Sequence, residues 1–370
     1  MTGERAYPPV IASLTSLRFF AAIWVVALHY TQWPAGWGAL PIIVQGNLAV
    51  DFFFVLSGFI LAHAHIRQIA TDTLGAGPFI AKRLARIYPL HLAMLIFYVL
   101  LVVSLMIAGI RLPNPERYDP TQILPNLLLV HAWQTIDHGA WNYPSWSISA
   151  EWFAYLLFPW LAAAIFRRLA RVPSRWLVVG ALAWLMVSVA ACPPVLGHGY
   201  FDLHSDFGYV RIMPEFVLGM TLYRFGREHD LAALAAPGVF ALIVAAALVL
   251  AWQALPLATV MALALLILSA AERARQGREG VLRTAWLVYL GEVSYALYMV
   301  HLPVATLLLR GIRFEEGSTP AWLVPIGMIV AILAAIAAHH AVEIPGQRVV
   351  LRLVRLGGSS LAEPAPRSRG

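Results

Sequence analysis

Apolar runs of about twenty residues recur along the chain, each bounded by Arg, Pro, Gly or a short acidic cluster. A run of that length crosses about 30 Å of hydrocarbon as a helix. The pattern predicts ten spans, at 14–33, 46–66, 88–110, 145–166, 176–192, 207–225, 234–252, 255–271, 286–309 and 320–342. The expected fold is all-α, a polytopic membrane helix bundle whose even number of spans returns both termini to one side. Residues 1–13 form a short leading segment, 14–348 the membrane domain, and 349–370 a basic tail that is small, polar and without a fixed fold. The longest connection, 111–144, carries Pro113, Pro115, Pro120 and Pro125 and several aromatics, and is expected to lie over the helices as an ordered cap. No internal repeat, soluble catalytic domain, Walker loop or dinucleotide fingerprint interrupts the pattern, so any chemistry belongs to the membrane domain. The first run holds Arg18 and His29 and is followed by no small-residue cleavage site, so it reads as a retained helix.

Composition sharpens this picture. Of 370 residues, 60% are hydrophobic and 12% charged, against roughly 45–50% and 25% in a soluble domain. A formal charge of +7 would suggest nucleic acid in a soluble protein, but here its distribution matters more. Among the 26 Lys and Arg, only Arg111, Arg117, Arg310 and Arg313 lie in one set of alternate connections, and Arg18 and Arg211 lie within spans. All the others fall in the opposite set, Arg224 at the end of the sixth span that faces it. The positive-inside bias then places both termini in the cytoplasm, and the charge records topology without implying a nucleic-acid partner. Cys192 is the sole cysteine, which excludes an intrachain disulfide and a cysteine metal cluster. Lys82 is the sole lysine and Ala is abundant, a bias of GC-rich coding that points to a bacterial cytoplasmic membrane.

Ionisable groups in hydrocarbon cost at least about 2.5–3.5 kcal/mol each, so those retained are functional candidates facing a cavity or a partner. Arg18 and His29, eleven positions apart, share a face of the first helix about 16 Å apart along its axis. With the amino terminus inside, Asp51, Glu151, Arg211, Glu215 and His301 fall at a depth similar to His29. A histidine titrating near neutrality, carboxylates to orient it and arginine to stabilise developing charge are the elements of acid–base chemistry without a metal. The alternative for Arg211 and Glu215, spaced i,i+4, is a pair that only holds structure. Lys82, Arg83 and Arg86 stand before the third span, where Arg83 and Arg86 can present two guanidinium groups to one phosphate; the alternative is a topogenic basic loop. His63, His65, His339 and His340 fall near helix ends and read as interfacial packing. His131 and His138 belong to the long outer connection.

These residues sit in segments that resemble the acyltransferase-3 family of integral membrane O-acyltransferases. The segments are SLRFFAAIWVVALHY from Ser16, GNLAVDFFFVLSGFIL from Gly46, FIAKRLARIYPLH from Phe79, WNYPSWSISAEWFAYLLFPW from Trp141, LGEVSYALYMVHLPV from Leu290 and VEIPGQR from Val342. The family's Arg, ten residues, His signature falls on Arg18 and His29, its Arg-x-x-Arg on Arg83 and Arg86, and its Ser-Trp-Ser to Glu segment on Ser145, Ser147 and Glu151. Ala49 and Gly346 depart from the residues usual at their positions.

The resemblance implies an acyl group, often acetyl, taken from acyl-CoA as co-substrate and delivered to a hydroxyl. The acceptor is commonly a sugar of a surface polysaccharide or glycolipid, or else an antibiotic or other small molecule. His29, Arg18, Asp51 and Glu151 are the expected catalytic group, with Lys82, Arg83 and Arg86 for coenzyme A. Ser145, Ser147, Arg211, Glu215, Tyr295 and His301 are expected as acceptor contacts or support, with no metal and no permanently bound cofactor. A transporter or flippase is the competing class, since intramembrane charge also marks substrate paths.

Overall fold

The computed structural model describes residues 6–31, 40–110, 115–134, 141–310, 320 and 322–359. Among them are thirteen α-helices and no strand. They are α1 (Ala12–Tyr30), α2 (Pro41–Val44), α3 (Leu48–Ala70), α4 (Ala76–Ile107), α5 (Ile123–Leu127), α6 (Trp146–Ala163), α7 (Ser174–Leu196), α8 (Gly208–Glu228), α9 (Pro237–Trp252), α10 (Pro256–Arg275), α11 (Ala285–Ala305), α12 (Leu323–Ala338) and α13 (Ile344–Ser359). Eight helical stretches are long and apolar enough to cross a membrane. Two of the ten expected spans miss that standard for different reasons. α9 is apolar but has only 16 residues, and α8 carries Arg211, Glu215 and Arg224. Of the sequence candidates, Arg111, Arg313 and His138 lie outside the described residues.

The surface is that of a membrane protein. Leu100, Met106, Ile107, Val187, Leu242, Ile329 and Leu333 are exposed, with Trp160, Trp176, Trp252, Trp286 and Trp322 near helix ends, where indole rings settle at the membrane–water boundary. Between helices, association in lipid depends on close packing of small residues and on hydrogen bonds. A Cβ on Gly58 would stand 1.9 Å from the Phe216 carbonyl oxygen, and one on Gly219 1.9 Å from that of Val55, so α3 and α8 touch backbone to backbone. Gly291 does the same for α11 against Thr15 of α1. Tyr30 then donates to the His301 carbonyl at 2.7 Å, and Ser16 to that of Leu282 at 2.6 Å. These two contacts set the depth and rotation of the polar residues on four helices.

Three elements differ from the sequence expectation. α4 begins at Ala76, a dozen residues before the predicted 88, and runs for 32 residues with Pro89 inside it. Lys82, Arg83 and Arg86 are therefore helical residues and not a preceding loop. The proline is accommodated where Gly346 packs: a Cβ there would lie 2.4 Å from the Pro89 Cβ, which gives the unusual Gly346 a packing reason. α13 continues across 349 to Ser359, so the expected tail starts as helix. Its last eleven residues, 360–370, lie outside the described residues.

The described part of the long connection is ordered as a cap. Ser149 of α6 accepts from the Ala132 N–H at 3.0 Å and donates to the Leu129 carbonyl at 2.8 Å, and Trp133 donates to the Ser149 carbonyl at 2.9 Å. His91 and His131 stack beneath, with nearly parallel rings 5.7 Å apart. Burial pushes the His131 imidazole down to about 3, so it is uncharged in the cap.

Candidate active site

Two cavities lie within the bundle and share a wall. The first, of about 190 Å³, is lined by Arg18, Arg83, Arg86, Ser57, Ser147, Glu151, Tyr155, Tyr295 and Tyr298. The second, of about 310 Å³, is lined by His29, Asn47, Arg117, Tyr143, Trp146 and His204. Val50 and Tyr298 line both. They are called here the arginine chamber and the histidine chamber.

In the arginine chamber α1, α4 and α6 each contribute charge. Arg83 and Arg86 are three residues apart on α4 and so lie on one side of it; long aliphatic stems let their heads reach an aqueous space. Arg86 pairs with Glu343, which also takes a hydrogen bond from His339 Nδ1 at 2.9 Å. That stretch, His339–Glu343, is a π-helical turn, a local widening often found at functional sites. Arg83 lies 5.9 Å from the Phe79 ring centroid and 6.0 Å from that of Tyr155, and its buried Nε has no partner. Neither Arg83 nor Arg18 forms an ion pair among the described residues. The lining carboxylate is Glu151, which accepts from Ser57 at 2.8 Å and Tyr155 at 2.5 Å. Three guanidinium groups against Glu151 and Glu343 leave the chamber net positive, suited to an anion.

In the histidine chamber the hydrogen bonds define a tautomer. His301, with no exposed surface, places Nδ1 2.7 Å from the Tyr298 carbonyl oxygen. A carbonyl only accepts, so this nitrogen carries the proton and Nε2 of the neutral ring is bare. That Nε2 lies 3.0 Å from His29 Nδ1, which is also 3.0 Å from the Val25 carbonyl oxygen. His29 Nδ1 therefore donates, shared between two acceptors, and His29 Nε2 keeps its lone pair. The opposite ring nitrogen thus remains available as a base. The Tyr143 ring stands 6.1 Å from His29. His204 in the α7–α8 connection is lowered to about 4, chiefly by burial and then by the charge of Arg211, so it too is neutral.

The expected site residues divide into three groups. Arg18, Arg83, Arg86, Glu151, Ser147 and Tyr295 line the arginine chamber; Tyr295 donates to the Ile87 carbonyl at 2.5 Å. His29 lines the other chamber, and the group beside it is His301, in place of Asp51 or Glu151. The rest are outside both cavities. Asp51 holds Arg211 in a bidentate pair, Oδ1 to Nε at 2.9 Å and Oδ2 to a terminal nitrogen at 2.7 Å. Both side chains have no exposed surface. Arg211 also donates to the Phe201 carbonyl at 2.7 Å and lies 5.4 Å from the Trp146 ring. The expected Arg211–Glu215 pair gives way to this one, and Glu215 accepts instead from Tyr200 at 3.0 Å. Ser145 donates to the Asn142 carbonyl at 2.7 Å at the foot of α6. Lys82 is exposed.

Sequence reasoning gave no role to Glu343, Ser57, Tyr155, Tyr298 or Arg117. Tyr155, four residues after Glu151, is the one that helical spacing alone marks. Glu343 lies in the VEIPGQR segment, but its partner Arg86 is far away in the chain. Among the described residues no three His, Cys, Asp or Glu side chains converge as metal ligands.

Fold and cavities together define a multi-pass helical membrane protein with a polar, charged interior. An acyltransferase domain model, that of the acyltransferase-3 family, matches residues 11–340, and the chain belongs to that family. It is similar to "Acyltransferase MdmB" of Streptomyces mycarofaciens, 34% identical over 92% of this chain and 93% of that protein. It is also similar to "Protein 2 in picA locus" of Rhizobium radiobacter, 32% identical over 37% of this chain and 75% of that protein. No solved structure matches. The protein is a membrane acyltransferase.

Proposed function

We propose that the protein moves an acyl group, acetyl in the simplest case, from acyl-CoA in the cytoplasm to a hydroxyl of a carbohydrate acceptor at the outer face of a bacterial cytoplasmic membrane. One observation carries this reading. A chamber rich in guanidinium and a chamber holding a histidine with a free Nε2 meet at Val50 and Tyr298. The two ends suit the two ends of one donor: phosphates held by Arg83 and Arg86, a pantetheine arm passing Arg18, and a thioester beside His29. Arg18 and His29 are then successive stations on one acyl path. His29 Nε2 takes the proton of the acceptor hydroxyl, His301 holds the ring, and coenzyme A leaves with the proton returned by His29. Acyl-CoA acts as co-substrate, and no resident cofactor or metal is required by these steps.

The acceptor chamber is walled by Trp146, Tyr143 and His204, flat rings of the kind that cover the apolar faces of sugars. That favours a glycan or glycolipid over the second acceptor class, an antibiotic or similar small molecule. A transporter or flippase reading has against it the family membership and a relative named as an acyltransferase.

Purified protein given labelled acetyl-CoA and a panel of glycans and small hydroxylated molecules tests both points. Label should appear in an ester product, and His29→Ala should lower transfer by about 10²- to 10⁴-fold with the fold intact by thermal unfolding. Normal acylation by His29→Ala at matched protein level, or movement of the acceptor without ester formation, would sink the proposal.

A further inference from the structure

We infer that Arg117 is a second catalytic residue of this site, the cation that receives the negative charge on the acyl carbonyl oxygen when the acceptor attacks. The inference rests on the acyl-transfer function proposed above. By sequence Arg117 is merely an arginine on the sparsely charged side of the membrane. The structure gives it a specific place. It lines the histidine chamber with His29, its guanidinium 5.7 Å from the Tyr143 ring centroid and 5.9 Å from that of Tyr118. Its Nε is buried and has no partner.

Two other arginines near the cavities are paired within the protein, Arg211 with Asp51 and Arg86 with Glu343, whereas Arg18 and Arg83 in the neighbouring chamber form no ion pair among the described residues. Arg117 has no ion pair among the described residues, and no carboxylate lines its chamber. Its aromatic neighbours hold a cation in place but leave its charge uncancelled. Arg117 is part-buried, with its Nε turned away from water and unpartnered, so an anionic group that enters the chamber is its complement. With a volume of about 310 Å³ the space is roughly 8 Å across, at the small end of ligand sites. His29 and Arg117 therefore face the same few atoms. Among the other polar groups there, the Tyr298 hydroxyl is already engaged with Ser147 at 2.8 Å.

The acceptor oxygen bonds to the thioester carbon as His29 Nε2 takes its proton. The carbonyl electron pair moves onto the oxygen, which becomes an anion beside Arg117. That pair then re-forms the carbonyl, the C–S bond breaks, and the thiolate takes the proton from His29. Ester and free coenzyme A are the products. A preorganised donor at such an oxygen contributes about 10²–10³ in rate.

The test uses acetyl-CoA with water or hydroxylamine as acceptor, so the natural acceptor need not be known. Thiol release by the purified full-length protein is followed with a colorimetric thiol reagent, against His29→Ala as the blank. Arg117→Gln is expected to lower kcat about 10²- to 10³-fold with both acceptors, with KM for acetyl-CoA and thermal unfolding unchanged. Arg117→Lys, which keeps the charge, recovers part of the loss. Wild-type kcat in Arg117→Gln, or a change confined to KM, overturns the role of Arg117 alone. No thiol release by the wild-type protein above the blank overturns the acyl-CoA reading, and this proposal with it.

Discussion

Arg211 and Arg83 are the same residue in the same bilayer, yet they do opposite things with their charge. Arg211 spends every donor on the protein: two bonds to Asp51, others to the carbonyls of Phe201, Leu203 and Asn47. Arg224 is similar, reaching Glu228 and the carbonyls of Ile165, Leu169, Ala170 and Val172. Arg83 faces a cavity with two aromatic rings for company; Glu151 lines the same cavity but is engaged by Ser57 and Tyr155, and Arg83 forms no ion pair among the described residues. A buried charge inside a membrane is thus not by itself a sign of chemistry. What separates the two cases is whether the counter-charge belongs to the fold or has to arrive from outside.

That distinction can be broken by mutation, beginning with the largest expected effect. Asp51→Ala leaves a fully buried guanidinium without its partner, a loss of about 3–5 kcal/mol. It should appear as a large fall in thermal stability in detergent, with activity lost because the protein no longer folds. A stable, monodisperse Asp51→Ala protein that lacked activity would instead make Asp51 a member of the reacting site. Arg83→Gln should do the reverse. With no ion pair to lose, its unfolding temperature should stay level or rise, while KM for acyl-CoA increases by about 10- to 100-fold, the worth of one hydrogen bond to a charged group. A drop in stability with unchanged KM would put Arg83 among the structural arginines.

The smallest effect concerns pH. His131 and His204, on the connections outside the spans, are held at about 3 and about 4 by burial, below the ordinary value near 6.5. The folded protein then binds fewer protons than the unfolded chain, so stability is full above about pH 6.5 and declines as pH falls from there towards 4. Thermal unfolding between pH 7.5 and 5 should show this decline, and His131→Asn should flatten it. A profile unchanged by that substitution would assign the decline to other groups.

Much of the fold was legible because helices in lipid announce themselves by length and apolarity. Arg18, His29, Arg83 and Arg86 stood out because each is expensive where it lies. What could not be read was partnership. Depth along the membrane put Asp51 and His29 in one layer, but rotation about the helix axis decides that Asp51 meets Arg211 and His29 meets His301. That rotation is set by Gly58, Gly219 and Gly291, which have no side chain to advertise a contact. The start of α4 was missed for a related reason: Pro89 reads as a boundary until Gly346 is seen making room for it. Arg117 was counted as a topological marker, since nothing in the sequence near it says that it turns inward.

The contact of α1 with α11 has a consequence for the order of events in the cell. His29 and His301 are 272 positions apart, so at about 5–20 residues per second the first helix enters the membrane some tens of seconds before its partner exists. For that interval Arg18 and His29 lie in a bundle with no Gly291 seat and no His301, and His29 Nδ1 has only the Val25 carbonyl of its own helix as acceptor. The reactive arrangement comes into being only when the eleventh helix docks, so a chain interrupted before then is a membrane protein without a catalyst.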